Sequence, residues 1–310
     1  ALQLLPGDGR VGALLCADAR VRGVLFTGST ETAALIDRQL AARAVSEEIV
    51  LIAETGGINA MVVDSSALSE QVVHDALGSA FDSAGQRCSA LRVLCLQEEI
   101  ADRVLAMLRG ALRELAVGDP ALLATDIGPV IDDEACAAIQ RHVQRLRTEA
   151  RLLGETPAAP DLPHAVAPVA FEIDRIADLR EEIFGPVLHV VRWGSGQTGP
   201  GAARDVDEVV RQVNALGYGL TLGVQTRIDS RASRIADEAR VGNVYVNLGL
   251  FKNAETLLQK ALQAREARLP ADHPDLATSL NSLALLYKNQ GRYALAEPLY
   301  RRALALHRTS

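Results

Sequence analysis

Two side chains in this sequence could do covalent chemistry together: the thiol of Cys88 and the carboxylate of Glu54. Cys88 lies in Ala84-Gly85-Gln86-Arg87-Cys88-Ser89-Ala90, between a helix-like stretch and an apolar run from Leu91 to Leu96. A small Ala-Gly approach can set a thiol at the end of an element, facing a cavity. Glu54 closes an apolar, strand-like run and is followed by Thr55-Gly56-Gly57. The two residues are 34 positions apart, enough for one helix between two loops. A thiolate attacks an electrophilic carbon, and a carboxylate activates the water that releases the product. That combination suits aldehyde oxidation. A bare cysteine is more often a small core residue, so the pair gains weight only from its surroundings.

Two further stretches could hold a cofactor. In Thr27-Gly28-Ser29-Thr30-Glu31 a glycine sits between a strand-like and a helix-like segment. A bare glycine lets backbone approach a pyrophosphate, and a helix N-terminus offers free N–H groups to it. Ser29 or Thr30 could equally cap an ordinary helix. In Glu181-Glu182-Ile183-Phe184-Gly185-Pro186-Val187, Glu182 could accept both hydroxyls of a ribose. Phe184 could pack on a flat ring. The plainer reading of that stretch is a charged helix end before a Gly-Pro turn.

Glu54-Thr55-Gly56-Gly57, followed at this spacing by Gly85-Gln86-Arg87-Cys88, resembles the aldehyde dehydrogenase superfamily. The string from Phe81 to Leu96, FDSAGQRCSALRVLCL, is similar to its L-glutamate γ-semialdehyde dehydrogenase branch, found in bifunctional proline-catabolic proteins. The resemblance runs from about Ala1 to Asn247. It implies NAD as cofactor, with Gly28 and Ser29 against its nicotinamide half. It implies that Glu182 holds the nicotinamide ribose and Phe184 the ring. Cys88 would be the nucleophile, Glu54 the base, and Ser89 a contact to the substrate carboxylate. The implied reaction is oxidation of L-glutamate γ-semialdehyde to L-glutamate.

The resemblance also implies parts that are not among these 310 residues. These are the family's first cofactor strands, a lysine for the adenosine ribose, an oxyanion-hole asparagine and a C-terminal substrate loop. Losing one oxyanion donor typically costs about 10²–10³ in rate, so this stretch alone is expected to be impaired. The alternative is an interaction module displayed on a catalytically inactive scaffold.

Bulk properties narrow the field. The 310 residues are 48% hydrophobic with a formal net charge of −7, an ordinary globular balance. Nothing in it favours nucleic acid or an anionic membrane surface. No apolar run approaches the roughly 20 residues of a membrane span. The start, Ala1-Leu2-Gln3-Leu4-Leu5-Pro6, has no basic n-region and no initiator methionine. It is expected to be neither a signal peptide nor a natural beginning. Cys16, Cys88, Cys95 and Cys136 have the spacing of neither a zinc site nor a disulfide framework. Reduced thiols in the cytoplasm, with no metal, are expected. Cys16 and Cys95 read as core, and Cys136 as structural.

The elements that must position these residues alternate. Leu2–Leu5, Gly23–Phe26 and Glu48–Ala53 read as strands, with helices at Val11–Ala17 and from the Thr27 turn to Ala44. Helices follow at 69–84, Ala101–Ala116 and Asp132–Thr148. Leu91–Leu96 and Val187–Trp193 are strands, and Gly154–Pro168 reads as a surface loop. Asp205–Leu216, Leu220–Gln225, Ser230–Arg240 and Asn243–Val246 continue helix, strand, helix, strand. This is α/β architecture. A partial Rossmann-like cofactor domain is expected over 1–54 and an α/β catalytic domain over 55–247.

Residues 248–310 break the pattern. The tail matches itself at an offset of 42: Tyr245 with Tyr287, Asn247 with Asn289, Gly249 with Gly291, Ala254-Glu255 with Ala296-Glu297, Ala261-Leu262 with Ala303-Leu304. Such periodicity marks an all-α helical repeat. His273-Pro274-Asp275-Leu276-Ala277 onward resembles tetratricopeptide repeats of the kinesin-light-chain type. One full repeat spans about Asp275–Arg308, preceded by a partial one. The implied partner is a protein or peptide. Pro298 falls in the first turns of the last helix, where it is tolerated.

Overall fold

The structure is a computed structural model that describes residues 2–43, 49–157, 159, 161–198, 201–247, 262–263, 265–266, 270, 273–289 and 292–309. Packing divides the chain into two compact units, Ala1–Val246 and Asn247–Ser310.

The first unit opens on helix α1 (Gly9–Ala17), whose N-cap Asp8 accepts from the Arg10 amide. Strand β1 (Gly23–Gly28), helix α2 (Thr30–Ala41) and strand β2 (Val50–Thr55) follow. β1 and β2 pair in parallel as a sheet of their own, with Thr27 opposite Glu54 and Gly28 opposite Thr55. The expected strand at Leu2–Leu5 does not form. Those residues make no ladder, and Leu2 and Leu4 stand 102% and 89% exposed. Apolar composition alone cannot hold a strand that has no partner for its N–H and C=O groups. The expected ends of α2 at Ala44 and of β2 at Glu48 lie outside the described residues.

The second sheet carries the core. Its strands are β3 (Asn59–Val63), β4 (Leu91–Gln97), β5 (Arg151–Glu155), β6 (Val169–Glu172), β7 (Val187–Trp193), β8 (Thr221–Gln225) and β9 (Asn243–Val246). Their order is β5-β6-β7-β4-β3-β8-β9, all parallel except β5. Strands β3, β4 and β7 are almost wholly buried. Central parallel strands covered on both faces read as near-continuous apolar runs, and these do, interrupted by Asn59, Arg92, His189 and Arg192.

Helices cover this sheet: α3 (Ser69–Phe81), α4 (Glu98–Glu114), α5 (Asp133–Glu149), α6 (Val206–Ala215) and α7 (Asp229–Glu238). α4 packs Ile100, Ala101, Val104, Leu105, Leu108 and Leu112 inward, an i, i+3/i+4 stripe. Asp132 and Asp205 cap α5 and α6 by accepting main-chain N–H groups.

Three strands lie beyond the sequence reading. β3 is only five residues long and sits behind the Gly56-Gly57 turn. β5 and β6 flank the Pro-rich stretch, so that β5 takes Gly154 and Glu155 from what reads as loop. Their pairing is with distant residues, which local periodicity does not report.

In the second unit, the helices Pro274–Asn289 and Tyr293–Thr309 pack together through Leu276, Ala277, Leu280, Leu283, Tyr287, Ala296 and Ala303. Small residues at Ala277, Ala296 and Ala303 let the helices close. Pro298 is accommodated inside the last helix. The preceding partial repeat, including Gly249, Ala254 and Glu255, lies largely outside the described residues. Among the described residues no helix is long and apolar enough to cross a membrane.

Candidate active site

Cys88 sits in a turn between α3 and β4, three residues before the strand, and its side chain is exposed. The approach to it is unusual. Ser83, Ala84 and Gly85 all take left-handed backbone conformations, with φ of 57°, 53° and 66°. For the two non-glycine residues this conformation is strained. At Gly85 the glycine is required, because a Cβ there would stand 2.3 Å from the Gly185 carbonyl oxygen. The turn is therefore pressed directly against the Glu182–Pro186 segment.

Hydrogen bonds hold the turn from several sides. Asn59, buried at the start of β3, donates through Nδ2 to the Cys88 carbonyl at 2.7 Å and the Ala90 carbonyl at 2.9 Å. Its Oδ1 accepts from the Thr221 amide at 3.1 Å, which ties the turn to β8. Arg87 reaches back to the Gly78 carbonyl at 2.8 Å. Gln86 Oε1 accepts from the Ile131 amide at 3.0 Å.

The main anchor is Arg92, 1% exposed inside β4. Its Nη1 donates to the carbonyls of Gly85 (2.7 Å) and Gly185 (3.2 Å). Its Nη2 donates to the Arg87 carbonyl (3.2 Å) and to Glu182 Oε1 (3.1 Å). The guanidinium carbon lies 5.4 Å from the centre of the Phe184 ring, a cation–π contact.

Glu182 is thus held by a buried cation and by the Gly57 amide. Burial raises its pKa above the ordinary carboxylate value, against the opposing pull of Arg92. Burial likewise lowers the Arg92 pKa, against the opposing pull of Glu182. A Cβ at position 56 would stand 1.6 Å from Glu182 Oε2. The bare Gly56 is what lets the carboxylate reach its place, and it joins the Glu54-Thr55-Gly56-Gly57 stretch to the Glu182 stretch.

Ser29, Glu182 and Phe184 line one cavity of about 790 Å³, together with Ser83, Gln86, Ile131 and Asp132. Ser29 caps α2 by accepting the Thr32 amide at 3.1 Å. Of the candidate residues, then, these three are brought around one space. Cys88 and Ser89 are exposed in the adjoining turn, and neither lines the cavity. Glu54 is exposed on β2 and Gly28 ends β1, on neighbouring strands outside the cavity wall. Among the described residues no group of three or more His, Cys, Asp or Glu could hold a metal ion.

Asn59 and Arg92 hold the site without being among its sequence-predicted residues. Arg92 leaves one signal, a charged residue inside the apolar run Leu91–Leu96, where a cation must find partners or be excluded. Asn59 leaves none that its neighbours reveal.

Comparison with known proteins follows the same lines. Residues 1–259 match the aldehyde dehydrogenase family, and residues 234–309 match the tetratricopeptide repeat. The chain is 56% identical over 256 residues to the bifunctional protein PutA of Escherichia coli, covering 79% of this chain and 19% of that protein. It is 35% identical over 254 residues to a 1-pyrroline-5-carboxylate dehydrogenase of Geobacillus kaustophilus, covering 80% of this chain and 47% of that one. A crystal structure of bifunctional proline utilization A superposes with a TM-score of 0.72 at 51% identity, over 78% of this chain and 24% of that one. The chain thus spans about a fifth of the PutA relatives and about half of the shorter dehydrogenases. From the thiol turn to the Glu182 cradle, over residues 1–259, the chain belongs to the aldehyde dehydrogenase family, and a tetratricopeptide repeat segment ends it.

Proposed function

We propose that this chain performs an NAD-dependent oxidation of L-glutamate γ-semialdehyde to L-glutamate, in proline catabolism, at an impaired rate. The observation that carries the reading is the convergence of Ser29, Glu182 and Phe184 on one cavity beside the Cys88 turn. The names of the PutA and 1-pyrroline-5-carboxylate dehydrogenase relatives support the substrate class.

The residues around the cavity suit the nicotinamide–ribose end of NAD. Glu182 can accept ribose hydroxyls, the half-exposed Phe184 ring can lie on a flat heterocycle, and Ser29 with Gly28 stands at a helix N-terminus. Bound NAD would supply the hydride acceptor. The Cys88 thiolate attacks the aldehyde carbon and forms a thiohemiacetal, which oxidation converts to a thioester. Glu54 takes a proton from water, and that water attacks the thioester carbonyl. The carbon–sulfur bond breaks, giving glutamate and the free thiol. Ser89 donates to the substrate's α-carboxylate. The reaction belongs in the cytoplasm, where thiols stay reduced.

The test is NADH formation with glutamate semialdehyde, beside a Cys88→Ala control. A rate that vanishes in Cys88→Ala supports the reading. A folded protein with no rate above that control overturns it for this chain.

The tetratricopeptide match supports a second role, docking of a protein or peptide segment by the tail. An isothermal titration with candidate peptides that is unchanged when the tail's Leu280 core is disrupted would remove that role.

A further inference from the structure

The guanidinium of Arg92 divides its bonds in a regular way. Each terminal nitrogen makes one hydrogen bond to the thiol turn and one to the Glu182 segment. Nη1 takes Gly85 and Gly185, and Nη2 takes Arg87 and Glu182. The flat face rests on Phe184. Behind the side chain, the Arg92 carbonyl bonds to His189 Nδ1 at 2.8 Å, so its own backbone is fixed to β7. Among the described residues its Nε is buried without a partner, so the side chain bears that cost while its two outer nitrogens span the gap.

From this geometry we propose that Arg92 is a positioning residue that holds the Cys88 turn in register with the Glu182–Phe184 cofactor face. The proposal rests on the reading of Cys88 as the thiol and of Glu182 and Phe184 as the cofactor face. A planar fork can satisfy four acceptors on two segments at once. A lysine, with three donors at one point, cannot. The two segments are 90 and more positions apart in sequence and belong to different crossover connections, so nothing local keeps them aligned. Misplacement of a thiol by about 1 Å can cost about 100-fold in rate. A fixed partner between the segments is therefore a catalytic matter as well as a packing one.

The test reads the thiol directly. Cys88 alkylation by iodoacetamide is followed by peptide mass spectrometry in the full chain, for wild type, Arg92→Lys, Glu182→Ala and the double variant. Thermal melts run alongside. The intact fork holds the thiol outward, and a released turn samples orientations that cover it. Arg92→Lys is expected to slow alkylation about fivefold. Glu182→Ala, which alters a side chain on the other segment, is expected to slow it in the same direction. The double variant is expected to be no slower than the worse single one, because both remove the same connection. An unchanged rate in Arg92→Lys, or strictly additive effects, overturns the proposal. Should Arg92→Lys fail to fold, Glu182→Ala decides alone: no change at Cys88 overturns it.

With glutamate semialdehyde and NAD, Arg92→Lys should lower kcat tenfold or more while the aldehyde KM stays within about threefold. A purely structural role would lower the melting temperature without that split. If no NADH forms but the alkylation cycle is non-additive, the dehydrogenase reading falls and the role of Arg92 stands. If NADH forms normally and alkylation ignores Arg92→Lys, the reverse holds.

Discussion

A methyl group at position 56 would overlap the Glu182 carboxylate, whereas one at Gly110, within α4, would meet nothing within 4 Å. The two glycines make a controlled pair. Gly56→Ala is expected to destabilise by about 1–3 kcal/mol through overpacking and, on the proposed role of Glu182, to weaken NAD binding at least tenfold by displacing that carboxylate. Gly110→Ala is expected to stabilise by about 0.5–1 kcal/mol, since alanine loses less entropy in a helix. Urea titrations and NADH fluorescence titrations check both. The thiols separate as well. Burial pushes the Cys95 thiol up to about 12, so it stays protonated and enclosed, while Cys88 is exposed. Iodoacetamide at neutral pH should label Cys88 and leave Cys95 unmodified until the protein unfolds. The motif around Cys88 is legible in the sequence because it is contiguous. Arg92, which holds it, is visible only as a misplaced charge, because its partners at 182 and 185 are far along the chain.

At the scale of elements, α5 and β7 meet through two buried histidines. His142 Nε2 and His189 Nε2 are 2.9 Å apart, and His189 Nδ1 bonds to the Arg92 carbonyl. Burial lowers the His142 pKa to about 4 and the His189 pKa to about 3. The unfolded chain takes up these protons near pH 6.5, while the folded chain resists until far lower. The unfolded state therefore binds more protons in that window, and stability falls as pH falls from about 6.5 toward 4. His142→Asn should flatten that part of the curve, measured as unfolding free energy in urea at pH 7, 6, 5 and 4. An equal pH dependence in the variant would remove the pair as a cause. Helices were legible here through amphipathic spacing, as in the 3.6-residue stripe of α4. β5 and β6 were not, because a short strand exists only through the strand it pairs with.

Over the whole molecule, two separate cores coexist, one in Ala1–Val246 and one in Asn247–Ser310. The single tryptophan, Trp193, lies in the first. Leu280 is fully buried in the second. Leu280→Ala is expected to cost the tail about 2–5 kcal/mol, as large-to-small core changes do. The tail's helical circular-dichroism transition should move to lower temperature, while the midpoint of Trp193 emission stays in place. A matching shift in both signals would show that the two cores melt as one. The sequence itself changes period near residue 247, from alternating elements to a 42-residue repeat.

The sequence by itself determined the chemistry on offer: a thiol in a Gly-Gln-Arg-Cys turn, a carboxylate before a double glycine, an acid–aromatic pair before Gly-Pro, and a helical tail. These are contiguous signals, set by residue type and short-range sterics. The tertiary structure alone decided which of them share a space. It drew Ser29, Glu182 and Phe184 around one cavity and left Cys88, Ser89 and Glu54 exposed outside its wall. It also made Arg92 the link between two turns. The physical reason is that burial and hydrogen bonding join residues across the sheet, and the order of its strands is not written in any local stretch of the chain.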